Sequence, residues 1–226
     1  GNPGTSPLHA AARGGSVGCA RVLVEAKANP NIVNAVRETP CHLAAKSVDT
    51  GAATTLAFLI DEGKANVQAR DGNKQTLLHA AARTGNVSAL QVLLGLPFPP
   101  GISRRDSRNR GISQASHAIL LRAFDRWGRT PLHWAVLNNH IDTAILLLDA
   151  NADPDAKVSA RFAGKRTSLP SESPLELAQR VHGHNSKFVV AVQFRRAENR
   201  RPSRMTSHQQ TRHTPLMRGK DGRFIL

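Results

Sequence analysis

The chain has 226 residues, with 31 Lys+Arg against 16 Asp+Glu and a formal net charge of +15. Hydrophobic residues at 40% are too many for a wholly disordered chain, while aromatics at 4%, with no Tyr, are too few for an aromatic-filled sandwich or a base-stacking platform. No apolar run approaches the ~18 residues of a membrane helix, and two cysteines, Cys19 and Cys41, cannot form a disulfide framework, so a reducing compartment is expected: the cytoplasm, with the nucleus as alternative.

Taken in chain order, one segment keeps returning. Ser6-Pro7-Leu8-His9-Ala10-Ala11-Ala12 is followed by Thr39-Pro40-Cys41-His42-Leu43-Ala44-Ala45, then by Thr76-Leu77-Leu78-His79-Ala80-Ala81-Ala82 and Thr130-Pro131-Leu132-His133-Trp134-Ala135-Val136. A fainter copy is Ser173-Pro174-Leu175-Glu176-Leu177-Ala178-Gln179. The copies are 33, 37, 54 and 43 residues apart, a base period of 33 with insertions of 4, 21 and 10 residues. Thr or Ser suits a helix N-cap, Pro the first helical position, and paired Ala a close helix–helix approach. A residue that tolerates the left-handed conformation follows each first helix: Gly15, Gly51, Gly85, Asn139 and Gly183. Then come apolar second helices over 17–24, 56–60, 87–94 and 141–148, closed by Ala28-Asn29-Pro30-Asn31, Ala65-Asn66-Val67-Gln68 or Ala152-Asp153-Pro154-Asp155.

On these motifs the chain resembles the ankyrin-repeat family, whose unit is a β-turn followed by two antiparallel helices. The resemblance implies an all-α solenoid of about five helix-turn-helix repeats with β-turn tips, over residues 1–194, with repeats near 4–36, 37–72, 73–94, 124–156 and 171–194. Single units cannot bury their apolar faces, so stability comes from stacking. Insertions 95–123 and 157–170 and a tail 195–226 fall outside the pattern and read as basic and disordered, except that Ile112 to Phe124 could form a short helix leading into the fourth repeat. Gly1 opens directly at a turn without a Met, which suggests a fragment with earlier repeats cut away. Arg37 and Lys74 stand where the turn usually has Gly, so those tips are expected to be distorted. The short second helix over 187–194, followed by Arg-rich sequence, reads as a C-terminal cap. Thr214-Pro215-Leu216 lacks a following helix and reads as coincidence.

Charge is unevenly spread. Residues 1–94, 124–156 and 173–186 carry no net charge, while 95–123 carries +4, 157–172 carries +3 and 187–226 carries +8. Such segments read as solvated decoration, as a surface for an acidic partner, or as a nuclear-import signal around Arg195-Arg196 and Arg200-Arg201. Each holds a basic-basic-x-Ser sequence similar to basophilic kinase substrates, which makes Ser107, Ser168 and Ser203 candidate phosphorylation sites. No recognition helix or RNA-binding motif is visible, so no specific nucleic-acid partner is expected.

Catalytic chemistry finds no support. His9, His42, His79 and His133 recur one repeat apart, where an imidazole is expected to bond the turn backbone rather than share a metal; His182 and His184 have no ligand cluster beside them. Cys19 and Cys41 read as small buried hydrophobes, and no nucleophile elbow, phosphate loop or dinucleotide fingerprint occurs. No enzyme activity, cofactor or metal is expected. The resemblance implies instead a protein partner on the concave face, built from tip positions Ala35, Val36, Glu38, Gly72, Asn73, Gln75, Arg126, Trp127 and Arg129 and from first-helix positions Arg13, Lys46, Ser47, Arg83, Thr84, Leu137, Asn138 and Arg180. Trp127 leads, because a Trp between two Arg at a tip has the composition of a hot spot; Trp134 reads as core. The partner-binding candidates are therefore Trp127, Arg126, Arg129, Leu137, Asn138, Arg83, Thr84, Lys46 and Ser47, with a basic lining that suits an acidic surface. The function expected is a non-enzymatic interaction module or scaffold, monomeric or part of a longer chain. The alternatives are the recruitment arm of a larger enzyme such as a ubiquitin ligase or kinase, and a peripheral membrane or nuclear adaptor acting through the tail.

Overall fold

The computed structural model describes residues 3–96, 114–157, 172–184 and 186–199. Among them the secondary structure is helical throughout, as expected for an all-α repeat stack. The first helices are α1 (Pro7–Arg13), α3 (Pro40–Lys46), α5 (Leu77–Thr84), α8 (Pro131–Leu137) and α10 (Pro174–His182); their partners are α2 (Val17–Glu25), α4 (Ala52–Asp61), α6 (Val87–Leu93), α9 (Ile141–Asp149) and α11 (Lys187–Asn199). One further helix, α7 (Gln114–Leu121), lies inside the insertion 95–123, within the span expected for it. Most of both insertions, the tail beyond residue 199 and the Thr214 triplet lie outside the described residues.

Two rows of helices stack side by side. In one row α1, α3, α5, α8 and α10 contact each other in succession; in the other α2, α4, α6 and α9 do, and each of the first four repeats joins the rows through its own helix pair. The core runs between the rows, with the paired alanines Ala11, Ala12, Ala44, Ala45, Ala81, Ala82 and Ala135 at the close approaches and Leu56, Leu59, Leu90, Leu93 and Leu147 filling the space between repeats. Chain contacts divide the protein at Gln193/Phe194; of the second unit, only the end of α11 falls among the described residues. That helix runs to Asn199, past the expected end at Phe194, because Phe194-Arg195-Arg196-Ala197-Glu198 contains no helix breaker.

Every first helix begins with the same reciprocal cap. Ser6, Thr39, Thr76 and Thr130 pair with His9, His42, His79 and His133, while in the fifth repeat Ser173 pairs with Glu176. Each imidazole Nδ1 accepts the backbone N–H of its own cap residue, so Nε2 carries the proton and donates it to the tip of the next repeat: His9 to Glu38 O, His42 to Gln75 O, His79 to Arg129 O and His133 to Glu172 O, at 2.9–3.3 Å. Glu176 caps its own helix by accepting the Ser173 backbone N–H at 2.8 Å.

The tips hold the stack from the other side. In each, one side-chain oxygen accepts two backbone N–H groups: Asn34 from Val36 and Glu38, Asp71 from Asn73 and Gln75, Asp125 from Trp127 and Arg129. Successive tips are tied by Ala35 N–H to Pro3 O, Gly72 N–H to Val36 O and Arg126 N–H to Asn73 O, so the 21-residue insertion leaves the ladder in register. The distortion expected at Arg37 and Lys74 is absent. Both adopt the left-handed conformation, φ 62° and 59°, that Gly4 and Gly128 adopt at the same place, because the Asn34 and Asp71 side chains dictate the turn. That conformation strains a residue with a Cβ. Arg37→Gly and Lys74→Gly should each therefore stabilise the protein by about 1 kcal/mol, net of the glycine's extra unfolded-state entropy; unchanged urea midpoints for both variants would show the strain to be absent.

Two further expectations are corrected. Gly51 has φ −82° and caps the start of α4 rather than ending α3, since the loop between the helices of the second repeat, 47–51, is two residues longer than that of the first, 14–16. Its missing side chain is needed for another reason: a Cβ there would stand 2.1 Å from the carbonyl oxygen of Gly15 in the neighbouring repeat. Cys41 is buried, which pushes its thiol pKa up to about 12, but Cys19 is exposed. On α2, Cys19 and Val22 face solvent, whereas the corresponding Leu56 and Leu59 of α4 are fully buried.

Candidate functional site

The expected partner-binding residues separate into two groups. Trp127, Arg126, Arg129 and Arg83 converge on one place, the junction of the third and fourth repeats. Here the Trp127 and Trp134 rings meet edge to face, with centroids 5.9 Å apart and planes at 71°. The Arg83 and Arg129 guanidiniums lie over the Trp134 ring at 5.9 and 5.0 Å, and Arg126 lies over Trp127 at 5.5 Å. Arg83 comes from the last turn of α5, Trp134 from α8 and the other three residues from the tip between them. Two contacts set the backbone: His140 donates Nε2–H to Arg83 O at 3.2 Å, and Arg126 N–H reaches Asn73 O at 2.9 Å.

Asp125 organises the cluster. Its carboxylate is fully buried; one oxygen shapes the tip, and the other accepts the Trp134 indole N–H at 2.8 Å and the Gln75 amide at 3.5 Å. Trp134 is only partly buried, so the expectation of a core residue is corrected: its N–H is anchored from below while its ring is shared with two cations. Neither Asp125 nor Trp134 was among the expected site residues. One signal was present, since a buried indole N–H needs an acceptor and Asp125 occupies the tip position of Asn34 and Asp71.

The remaining candidates lie apart or have internal partners. Lys46 is ion-paired with Glu38. Burial pushes the Glu38 carboxyl up, but the Lys46 ammonium and the Asn34 amide outweigh it and hold the carboxyl below its usual range. Glu38 and Gln75, expected at exposed tips, are buried beneath them. Ser47 ends α3 and bonds Asp49; Thr84 returns its hydroxyl proton to the Ala80 and Ala81 carbonyls; Leu137 packs on the core; Asn138 is exposed at the end of α8 and bonds Trp134 O. Arg13 is exposed, and Arg180 pairs with Glu172. Ser107, Ser168 and Ser203 lie outside the described residues.

Among the described residues no group of three His, Cys, Asp or Glu side chains could hold a metal, and no helix is long and apolar enough to cross a membrane. Burial lowers the pKa of His42, and takes His79 and His133 down to about 4, so each stays neutral as a structural donor.

The repeating cap, tip and helix pair have a counterpart among known families: the profile for ankyrin repeats in three copies matches residues 1–71 and 47–158. The chain belongs to the ankyrin-repeat family. Among curated ankyrin-repeat relatives, human neurogenic locus notch homolog protein 1 is 31% identical over 152 residues, covering 67% of this chain and 5% of that protein. The mouse protein of the same name is 30% identical over the same length. The E3 ubiquitin-protein ligase XBAT32 of Arabidopsis thaliana is 34% identical over 155 residues, 65% of this chain and 30% of the ligase. The chain thus spans between a twentieth and a third of these relatives' lengths.

Proposed function

We propose that this ankyrin-repeat chain is a non-enzymatic interaction module that binds a partner protein on the face formed by its tips and first helices, centred on Trp127. The observation that carries this reading is the cluster at the third and fourth repeats: two indoles and three guanidiniums held in place by a buried carboxylate, with no ion pair to any of the three cations among the described residues. Trp and Arg anchors of this kind dominate binding energy at protein interfaces. The basic lining suits an acidic partner surface, and the basic segments outside the repeats would speed the encounter electrostatically. The array over residues 1–194 is the binding unit in this reading, the tail 195–226 an accessory, and the cytoplasm its place of work, with the nucleus as alternative. The likeness to XBAT32 supports a second reading, in which the array recruits substrates for a larger ubiquitin ligase.

The test is an affinity capture comparing the intact chain, Trp127→Ala and a chain ending at Phe194. Partners lost with Trp127→Ala but kept by the shortened chain support the repeat face as the site. Partners lost only on shortening would move recognition to the tail.

A further inference from the structure

From the second repeat to the fifth, inner cations are handled in two different ways. In the second repeat the tip residue Glu38 pairs with Lys46, eight positions on; in the fifth, Glu172 pairs with Arg180 at the same spacing, through N···O distances of 2.8–3.1 Å. Both repeats thus neutralise their own first-helix cation. The third repeat has Gln75 at the tip and Arg83 on the helix, and the fourth has Arg129 at the tip and Leu137 on the helix. In each, one half of the pair is missing and the cation remains. The two leftover guanidiniums belong to adjacent repeats, and both lie over the one Trp134 ring, at 5.9 and 5.0 Å. Neither pairs with a carboxylate among the described residues, and the one carboxylate bonded into the cluster, that of Asp125, is buried and accepts two backbone N–H groups, an indole N–H and an amide.

We propose that this junction is a carboxylate-recognition site for an acidic side chain of an extended peptide segment of the partner, seated between Arg83 and Arg129 beside Trp134, where it supplies the charge that Glu38 and Glu172 supply within their own repeats. The inference rests on the reading that the partner engages this face. Two cations around one indole match a single anionic side chain, and a guanidinium presents its paired donors to a carboxylate in a fixed fork. Half-buried Trp127 gives a neighbouring apolar side chain a flat surface, and exposed Asn138 gives the peptide backbone an amide. An anionic bilayer would need a broader basic face, and the repeats themselves carry no net charge.

Binding of a fluorescein-labelled decapeptide of alternating Glu and Ala, and of its Gln counterpart, to the full chain at about 150 mM salt tests this, since at that salt exposed charges more than about 8 Å apart are largely screened. The Glu peptide should bind roughly tenfold more tightly than the Gln peptide, and Arg129→Glu should remove roughly that factor. A Glu at this position has precedent in Glu38 and Glu172, so the fold should persist, and Arg83→Gln provides a second variant. Lys74→Gln, at a tip of the same array, should change little. Equal binding of the two peptides, no loss with either Arg variant, an equal loss with Lys74→Gln, or binding to phosphatidylserine vesicles in place of the Glu peptide would each overturn the proposal. Partner proteins lost with Trp127→Ala but retained by Arg129→Glu would overturn it while leaving the interaction face itself supported.

Discussion

Asp125→Ala should cost about 3–5 kcal/mol of stability, because it strands two tip N–H groups and an indole N–H whose shared acceptor is buried. Asp125→Asn should cost less, about 1–3 kcal/mol, because it keeps the two tip bonds and only the amide nitrogen that replaces the second oxygen fails to accept the Trp134 indole N–H. Asn34 holds the equivalent tip through the same two backbone N–H groups, so an amide oxygen is sufficient for the turn. The protein's two Trp residues both sit in this cluster, so intrinsic fluorescence during urea unfolding reports on this junction alone. Equal losses for the two variants would sink the hydrogen-bond account. The same measurement bears on function, since a loosened tip would release Trp127 and Arg129 from the positions they hold beside Trp134.

Acidification should unfold the stack well before the carboxylates titrate. Burial, outweighing the bonds to the Arg129 and Glu172 carbonyls, lowers the folded-state pKa of His79 and His133 to about 4, and His42 shifts the same way. The unfolded chain therefore takes up protons that the folded chain refuses. Their contribution is complete above a pH of about 6.5, the ordinary histidine value, and is lost as pH falls from there towards about 4. Each of His79 and His133 removes about 1.4 kcal/mol per pH unit across that window, or about 3 kcal/mol in all. Because each imidazole joins one repeat to the next tip, its protonation weakens the joints between units rather than the units themselves. Urea midpoints followed by helical circular dichroism should drop steeply between pH 6.5 and 4.5; a flat profile there would contradict the assignment of these histidines as neutral bridges.

The repeat period, the caps and the helix pairs were legible because each depends on local chemistry. Ser or Thr before Pro, His three residues after the cap and a small residue after the helix carry their meaning within a dozen positions. Even the insertion helix over Gln114–Leu121 followed from a local apolar run. The partial view of the site has the same origin. Trp127 and its flanking arginines were found because they adjoin in sequence, while Trp134 was assigned to the core because its position in the motif is filled elsewhere by Ala or Leu. Lys46 and Glu38 looked like exposed charges because the pair that consumes them bridges a turn and a helix.

By itself, then, the sequence determined the unit: its period, its capping chemistry, the apolar faces that require stacking, and the absence of net charge from the repeats. Only the tertiary structure decided which cations remain available. Arg83 and Arg129 are 46 positions apart and belong to different repeats, yet stacking brings both over one indole, while Lys46 and Arg180 each fold back onto a carboxylate of their own tip. A local pattern can specify a helix or a turn, but the pairing of charges across neighbouring units depends on side-chain reach and on what fills the opposite position, and those are set by packing.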